Sequence, residues 1–106
     1  MINREEIENA LNKLGDDPNI MAKELEKLGI TGYPGKIESC PIANYLNSCF
    51  KDNVFYIKAE YILTSHKDNP LEENKIITPG YVERFISRFD RGVYPKIDNN
   101  HIEKFI

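Results

Sequence analysis

The sequence is poor in the residues that build metal sites, disulfide scaffolds and membrane spans. Its 106 residues include no tryptophan, two cysteines and two histidines, His66 and His101. These two histidines lie far from the cysteines, without the spacing of a zinc site. No apolar run approaches the ~20 residues of a membrane-spanning helix, and the polar start does not fit a signal peptide. The sequence therefore predicts no metal, no cofactor and no membrane contact.

The two cysteines, Cys40 and Cys49, are not expected to form a disulfide with each other. If both lie on one helix, nine residues at ~1.5 Å each separate them by ~13 Å. A disulfide requires α-carbons within ~7 Å of each other. Unpaired thiols are typical of a reducing compartment, so we expect the protein in the cytoplasm.

The chain also lacks a surplus of positive charge. It has 14 Lys and Arg against 17 Asp and Glu, a net charge of −3. Proteins that bind nucleic acid usually displace phosphate counterions with a basic surplus, so the charge balance weighs against a nucleic-acid partner. With 41% hydrophobic and 29% charged residues, the chain has the composition of an ordinary globular protein. We expect residues 1–106 to form a single domain.

Capping residues and apolar periodicity predict three helices in the first half. Asn3 is the expected cap of the first helix, which Gly15 ends, and Asp17 with Pro18 starts a second helix that ends at Gly29. A loop rich in glycine follows. The third helix is expected from about Pro41 to Phe50, with Ser39 or Cys40 as its cap.

The period then changes to that of strands. Residues 54–57 and 61–64 are rich in β-branched and aromatic side chains and predict a hairpin. Residues 66–74 are expected to form a polar surface loop. Residues 75–77 could add a short third strand, so the sheet is expected to have two or three strands. Thr78 and Pro79 are expected to cap a helix that runs to about Asp90, and a terminal turn from Asp98 to Phe105 is possible. The predicted fold class is α+β, with three N-terminal helices, a small antiparallel hairpin or sheet and a C-terminal helix.

Three arginines of the last helix are the best candidates for ligand contact. Arg84, Arg88 and Arg91 are spaced i, i+4, i+7 and so share one side of the helix. Guanidinium groups bind phosphates and carboxylates in a planar, two-pronged geometry. Tyr33 and Tyr94 are the tyrosines that could complete such a surface. The alternative is a solvated face, in which acidic residues of the same helix pair with the arginines.

Cys40 allows a second interpretation, because a thiol at a helix N-terminus can have a lowered pKa. A cysteine-dependent enzyme would use it as the nucleophile, but no histidine lies near it in the sequence. The other reading of Cys40 is a small buried cap residue. No residue is therefore assigned a catalytic role.

The order of three helices and a hairpin is also that of a winged helix, a fold that binds DNA. The connection between the second and third helices, about eleven residues, is longer than the ~3–4 of a helix-turn-helix. The third helix would have to read the DNA, and it contains no lysine or arginine.

Two segments resemble a group of small bacterial proteins for which no activity is established. The first is the Cys-Pro-Ile-Ala-Asn-Tyr-Leu run of residues 40–46, which follows the Gly-Tyr-Pro-Gly of residues 32–35. The second contains Phe85, Phe89, Asp90, Gly92 and the Tyr-Pro pair at 94–95, in an F-x-x-x-F-D-x-G-x-Y-P pattern. The resemblance covers roughly residues 28–97 and implies that the two segments belong to one framework. A composition rich in lysine, asparagine and isoleucine would suit a low-GC bacterium or its phage.

Taken together, these patterns predict a non-enzymatic binding or regulatory module. Its ligand would be a protein partner or a small anion, because no set of acid, base, nucleophile and metal ligands can be assembled from the sequence. A winged-helix-like DNA-binding protein and a cysteine-dependent enzyme using Cys40 remain the alternatives. The sequence does not indicate an oligomeric state.

Overall fold

A computed structural model describes residues 2–104 of the chain. It contains helices before and after a central sheet of three strands, which makes the fold α+β. In chain order the elements are α1 (Arg4–Leu14), α2 (Pro18–Lys27), α3 (Pro41–Cys49), β1 (Asn53–Ile57), β2 (Tyr61–His66), β3 (Asn69–Ile77), α4 (Gly80–Asp90), a short 3-10 helix (Pro95–Ile97) and α5 (Asn99–Glu103).

The three helices before the sheet begin where their capping residues predict. The Asn3 side chain accepts a hydrogen bond from the amide of Glu6 at 2.9 Å, and Asp17 caps α2 in the same way. Such caps satisfy amides that have no partner inside the helix. Of the two expected caps for α3, it is Cys40 whose sulfur accepts from the amide of Ala43, at 3.4 Å. The capping predictions for these three helices are confirmed.

The sheet is antiparallel with strand order β1–β2–β3, so the third strand is present. The prediction that residues 66–74 form a loop was wrong, because β3 begins at Asn69 and pairs with β2 across an irregularity near His66. Of the nine residues in β3 only Ile76 is buried. A strand at the edge of a sheet can gain its stability from backbone pairing with few buried side chains, so its sequence resembles that of a polar loop.

The segment after the sheet differs from expectation in the cap of α4 and in the number of helices. Thr78 does not cap α4; its hydroxyl donates to the carbonyl of Lys58 at 2.8 Å, and Pro79 precedes the helix without a capping side chain. Gly92 ends α4 in a left-handed conformation with φ of 83°, which lets the amide of Val93 reach the carbonyl of Arg88. α4 is not the single closing helix, since the 3-10 helix and α5 follow it. Asp98 caps α5, and the expected end of that turn at Phe105 lies outside the described residues.

One face of the sheet packs on the helices, and the other remains open. Phe55, Ile57 and Ile62 are buried on the inner face, where β1 contacts α3. The outer face carries Tyr56, which is exposed, and Leu63, which is half-buried. The core joins this inner face to α1–α4 through fully buried side chains, namely Ile7, Leu11, Leu14, Met21, Leu25, Ile42, Leu46, Phe85, Phe89 and Ile97.

The glycine-rich segment before α3 lies against β1 and the C-terminal elements. Gly32 donates its amide to the carbonyl of Ile97 at 3.0 Å and accepts from the amide of Asn99 at 2.9 Å. Further along, the carbonyl of Ile37 accepts from the amide of Ile57 at 2.8 Å. The segment therefore lies against the free edge of β1 at Ile57. Within residues 2–104, no helix has the length and apolar content needed to cross a membrane.

Candidate functional site

α4 separates its apolar, basic and acidic side chains around the helix axis. Val82, Phe85 and Phe89 are buried against the core. At about 100° per residue, the three arginines fall within an arc of about 60°, and Glu83 and Asp90 lie more than about 80° outside that arc. This arrangement gives α4 one basic side, here called the arginine side and defined by Arg84, Arg88 and Arg91.

The arginine side forms no ion pair with any residue in 2–104. Arg84 and Arg91 are exposed and Arg88 is half-buried. The Nε of Arg91 donates to the carbonyl of Ser87 at 3.3 Å, a bond that leaves its charge uncompensated. The two acidic residues that could have paired with the arginines are engaged or oriented elsewhere. Asp90, for example, accepts from the amide of Gly35 at 3.0 Å.

The structure brings Tyr94 to α4 but gives Tyr33 a different role. The ring of Tyr94 stacks on that of Phe85, with centroids 5.3 Å apart, and its hydroxyl donates to the side chain of Asn19 at 2.9 Å. The hydroxyl of Tyr33 donates to the carboxylate of Glu103 on α5 at 2.5 Å. This bond and the negative charge of Glu103 raise the pKa of Tyr33. Tyr33 thus ties the segment before α3 to α5, and Tyr94 stays a candidate contact residue.

A groove of about 370 Å³ begins two residues after Arg91, between α2 and the segment that follows α4. Its wall is largely hydrocarbon, with charged groups at the rim, where the ammonium of Lys96 lies 3.7 Å from the carboxylate of Glu26. Sequence reasoning did not find this groove, because α2 and the Tyr-Pro segment meet only in the folded chain. It is lined by Asn19, Ala22, Lys23, Glu26, Val93, Tyr94, Pro95, Lys96 and Ile97.

The surroundings of Cys40 oppose a nucleophilic role. The side chain is only 7% exposed, and burial raises the pKa of its thiol to about 11, despite hydrogen bonds from the amides of Ala43 and Ile42 that lower it. The charge of Asp90 raises the pKa further. The helix N-terminus was expected to favour the thiolate, but removal from water has the larger effect here. At neutral pH the thiol keeps its proton.

The two histidines lie on elements other than the one that Cys40 caps. His66 lies at the turn between β2 and β3, where its Nδ1 accepts from the amide of Asp68 at 3.0 Å. His101 lies in the short helix α5, whose cap is Asp98. Across residues 2–104, no three side chains of His, Cys, Asp and Glu cluster closely enough to hold a metal ion.

α3, the helix that a winged-helix protein would insert into DNA, lies inside the fold. Pro41, Ile42, Ala43, Tyr45 and Leu46 are all buried, and the Tyr45 hydroxyl donates to the carbonyl of Ala10 at 2.7 Å. A recognition helix needs one side free to enter the groove of the DNA. The burial of α3, together with its lack of basic residues, weighs against this alternative.

Comparisons of the chain with models of protein families, with curated proteins and with solved structures found no match in any of the three. The class of this protein is therefore defined by its own architecture. It is an α+β protein in which a basic helix side and an apolar groove adjoin at the end of α4.

Proposed function

We propose that this protein is a non-enzymatic binding module that docks an acidic protein partner on the arginine side of α4. The observation that carries the proposal is the set of three guanidinium groups on one helix side that have no ion-pair partner within residues 2–104. An unpaired, partly immobilised guanidinium is well suited to a carboxylate in a planar, two-pronged contact.

A protein partner fits this surface better than a small anion does. The arginine side extends over eight residues, 84–91, or about 10 Å along the helix, and the groove of about 370 Å³ beside it is lined by none of the three arginines. Small ligands bind in concave sites that surround most of their surface. A row of carboxylates on a helix or an extended segment could instead contact all three arginines together.

The neighbouring groove would supply the apolar part of such an interface. Exposed ion pairs contribute only ~0–1 kcal/mol each, so charge alone gives a weak complex. Val93 and Tyr94 line the groove directly after the arginine side, and Val93 is 51% exposed. One apolar side chain of the partner would fill the groove, while carboxylates beside it pair with the arginines. The expected compartment is the cytoplasm, where the free thiols Cys40 and Cys49 would stay reduced.

The proposal is tested by removing two of the arginines. Immobilised protein is used to capture partners from a lysate of the cells that naturally produce it, and captured proteins are quantified by mass spectrometry. The double variant Arg84→Ala/Arg88→Ala is expected to lose a partner at least ~10-fold relative to wild type, because interface arginines are frequent hot spots. Capture should also weaken as salt is raised, since exposed charge pairs are screened.

A matched control removes two positive charges elsewhere. Lys51→Ala/Lys67→Ala changes the net charge equally, at exposed positions near the ends of β1 and β2. A partner retained by this variant and lost by the arginine variant supports the proposal. Equal capture by both variants would exclude the arginine side. A parallel NMR titration with inorganic phosphate and citrate tests whether the ligand is a small anion. Saturable chemical-shift changes confined to Arg84 and Arg88 would show that the arginine side binds a small anion, and the proposal of a protein partner would then be rejected.

A further inference from the structure

The outer edge of β3 is an unpaired row of backbone groups. The amide of Thr78 donates to the carbonyl of Glu60, which continues the register that pairs Ile76 with Ile62. Hydrogen-bonded and non-hydrogen-bonded pairs alternate along an antiparallel ladder. The backbone groups of Asn74 and Ile76 therefore face β2, and those of residues 73, 75 and 77 face outward. No backbone group within residues 2–104 pairs with this outward row.

The side chains along this edge are unusually apolar for exposed positions. Leu71 is 93% exposed and Ile77 is 72% exposed, the two largest values among the big apolar residues of the described chain. Glu73 and Lys75 lie between them and are also exposed. Charged residues commonly protect an edge strand from association. Here two opposite charges lie next to each other between apolar residues, so the row is complementary to itself.

Only one antiparallel register with a second copy satisfies this complementarity. With Asn74 on the two-fold axis, Glu73 of each copy lies opposite Lys75 of the other. Residues 70–72 lie in the irregular part of β3, so the regular pairing in this register is that of residues 73–75. A shift of two residues in either direction places Glu73 opposite Glu73, or Lys75 opposite Lys75, and like charges directly opposite each other destabilise a sheet. With a shift of one residue, each outward-facing backbone group of one copy lies opposite a residue of the other copy whose backbone groups face β2. No hydrogen bond can then form between them.

We propose that two copies of this chain associate by antiparallel pairing of their β3 strands about Asn74, forming one continuous six-stranded sheet. The contact is isologous, as two-fold symmetry requires, and it pairs the outward backbone groups of Glu73 with those of Lys75 in the other copy. A few paired residues form a small interface, so the dimer is expected at roughly 10–100 µM protein. The surface is separate from the arginine side of α4, and either proposal can fail without the other.

Charge reversal at the two central positions tests the register. Sedimentation equilibrium over a range of concentrations gives the dimer dissociation constant. Glu73→Lys and Lys75→Glu are each expected to weaken the wild-type dimer at least ~10-fold, because each creates two like-charge contacts across the axis. The double variant Glu73→Lys/Lys75→Glu restores both opposite-charge contacts and is expected to regain wild-type affinity within about threefold.

The two single variants provide a stricter test when they are mixed. Every central contact in the mixed dimer joins a lysine to a glutamate, so native mass spectrometry should show the heterodimer in excess over both homodimers. Glu60→Lys, at the turn between β1 and β2, is the control and should dimerise as wild type does. Urea unfolding of each variant is measured in parallel, since Lys75 also lies over the ring of Tyr61 at 4.2 Å.

Hydrogen exchange adds a readout at the strand itself. The amides of residues 73 and 75 should exchange rapidly in dilute solution and become protected as the dimer forms, while the amide of Ile76 is protected throughout. A wild-type chain that stays monomeric at 1 mM would overturn the proposal. So would a dimer that both single variants leave unchanged, or a double variant that remains as weak as the single ones.

Discussion

The two edges of the sheet differ in the backbone partners that the chain supplies. On the β1 side, the amide of Ile57 donates to the carbonyl of Ile37. On the β3 side, the outward backbone row has no backbone partner within residues 2–104. The chain thus places backbone of its own against the β1 edge at Ile57, and leaves the β3 edge to two adjacent opposite charges flanked by apolar side chains. The backbone that contacts the β1 edge belongs to the same chain and so stabilises the fold. The β3 edge has no such contact, so another strand can pair with it.

The cover of the β1 edge depends on contacts between residues far apart in the sequence. Gly32 pairs with the backbone at Ile97 and Asn99, and the amide of Gly35 is held by the carboxylate of Asp90. Cys40, at the end of the same segment, starts α3. The covered edge should therefore be sensitive to single changes at these positions, whereas changes along β3 should act mainly on association.

The largest effect is expected from Gly32→Ala. A β-carbon at this position would lie 2.5 Å from the backbone nitrogen of Pro41 and 2.6 Å from the carbonyl oxygen of Ser39. These atoms belong to the backbone, so they cannot move aside without displacing the start of α3. We expect a loss of about 3 kcal/mol or more in the free energy of unfolding, a size typical of severe overpacking. Urea unfolding followed by circular dichroism measures it.

Gly80→Ala is the matched control for this substitution. The β-carbon there would meet only the end of the Arg84 side chain, at 3.4 Å, and Gly80 begins a helix. Replacing glycine by alanine at a compatible site usually stabilises by ~0.4–1 kcal/mol. Similar unfolding curves for the two alanine variants would show that the approach of Gly32 to α3 is not a structural requirement.

The second prediction concerns how the free energy of unfolding changes with pH because of Cys40. Cys40 keeps its proton in the folded protein up to a pKa of about 11, whereas a thiol in the unfolded chain loses it near 9.0. Between these two values the unfolded state binds fewer protons, so stability falls as pH rises. Two pKa units correspond to roughly 2–3 kcal/mol. The loss should be absent below about pH 8 and complete above pH 11.

Cys40→Ser isolates this contribution, because serine can still cap α3 but does not titrate in this range. The unfolding free energy of wild type should fall more steeply between pH 8 and pH 10.5 than that of the serine variant. Other titrating groups contribute to both proteins and cancel in the difference. Parallel slopes would contradict a buried, protonated thiol. Alkylation with iodoacetamide at pH 8 offers a second readout, since exposed Cys49 should be modified before Cys40.

Local signals in the sequence were sufficient for the first three helices and failed for the open edge. Asn3, Asp17 and Cys40 begin their helices because a capping side chain acts on amides two or three residues away. Such a signal is contained in a few consecutive residues. β3 has no such signal, since eight of its nine side chains are not buried and its pairing partner belongs to another strand. β3 therefore forms because its backbone pairs with β2, and its own residues do not specify it.

The candidate site shows the same division. The common side of Arg84, Arg88 and Arg91 follows from helix periodicity and could be predicted. The lack of an ion pair could not be predicted, because it depends on where the acidic residues of the other elements lie in the folded chain. Tyr33 was grouped with the arginines on residue type alone, and its bond to Glu103 involves a helix that the sequence only suggested as a terminal turn. Tertiary placement decided which of the predicted residues share a surface.

Asp90→Ala is expected to have the smallest effect and to separate local from global opening at the covered edge. Asp90 is exposed, so losing its bond to the amide of Gly35 should cost only about 0.5–1 kcal/mol. By hydrogen exchange, the amides of Gly35 and Ile57 should exchange roughly 2–5-fold faster, because the cover is loosened. The amide of Ile76, on the opposite side of the sheet, should keep its rate.

Cys40 should also be alkylated somewhat faster in the Asp90→Ala variant, since the charge of Asp90 contributes to the raised pKa of the thiol. Glu83→Ala removes a carboxylate from the same side of α4 without breaking a side-chain bond, and it should leave all these rates unchanged. If the amides of Ile57 and Ile76 accelerate together, Asp90 stabilises the whole fold and the cover of β1 does not open on its own.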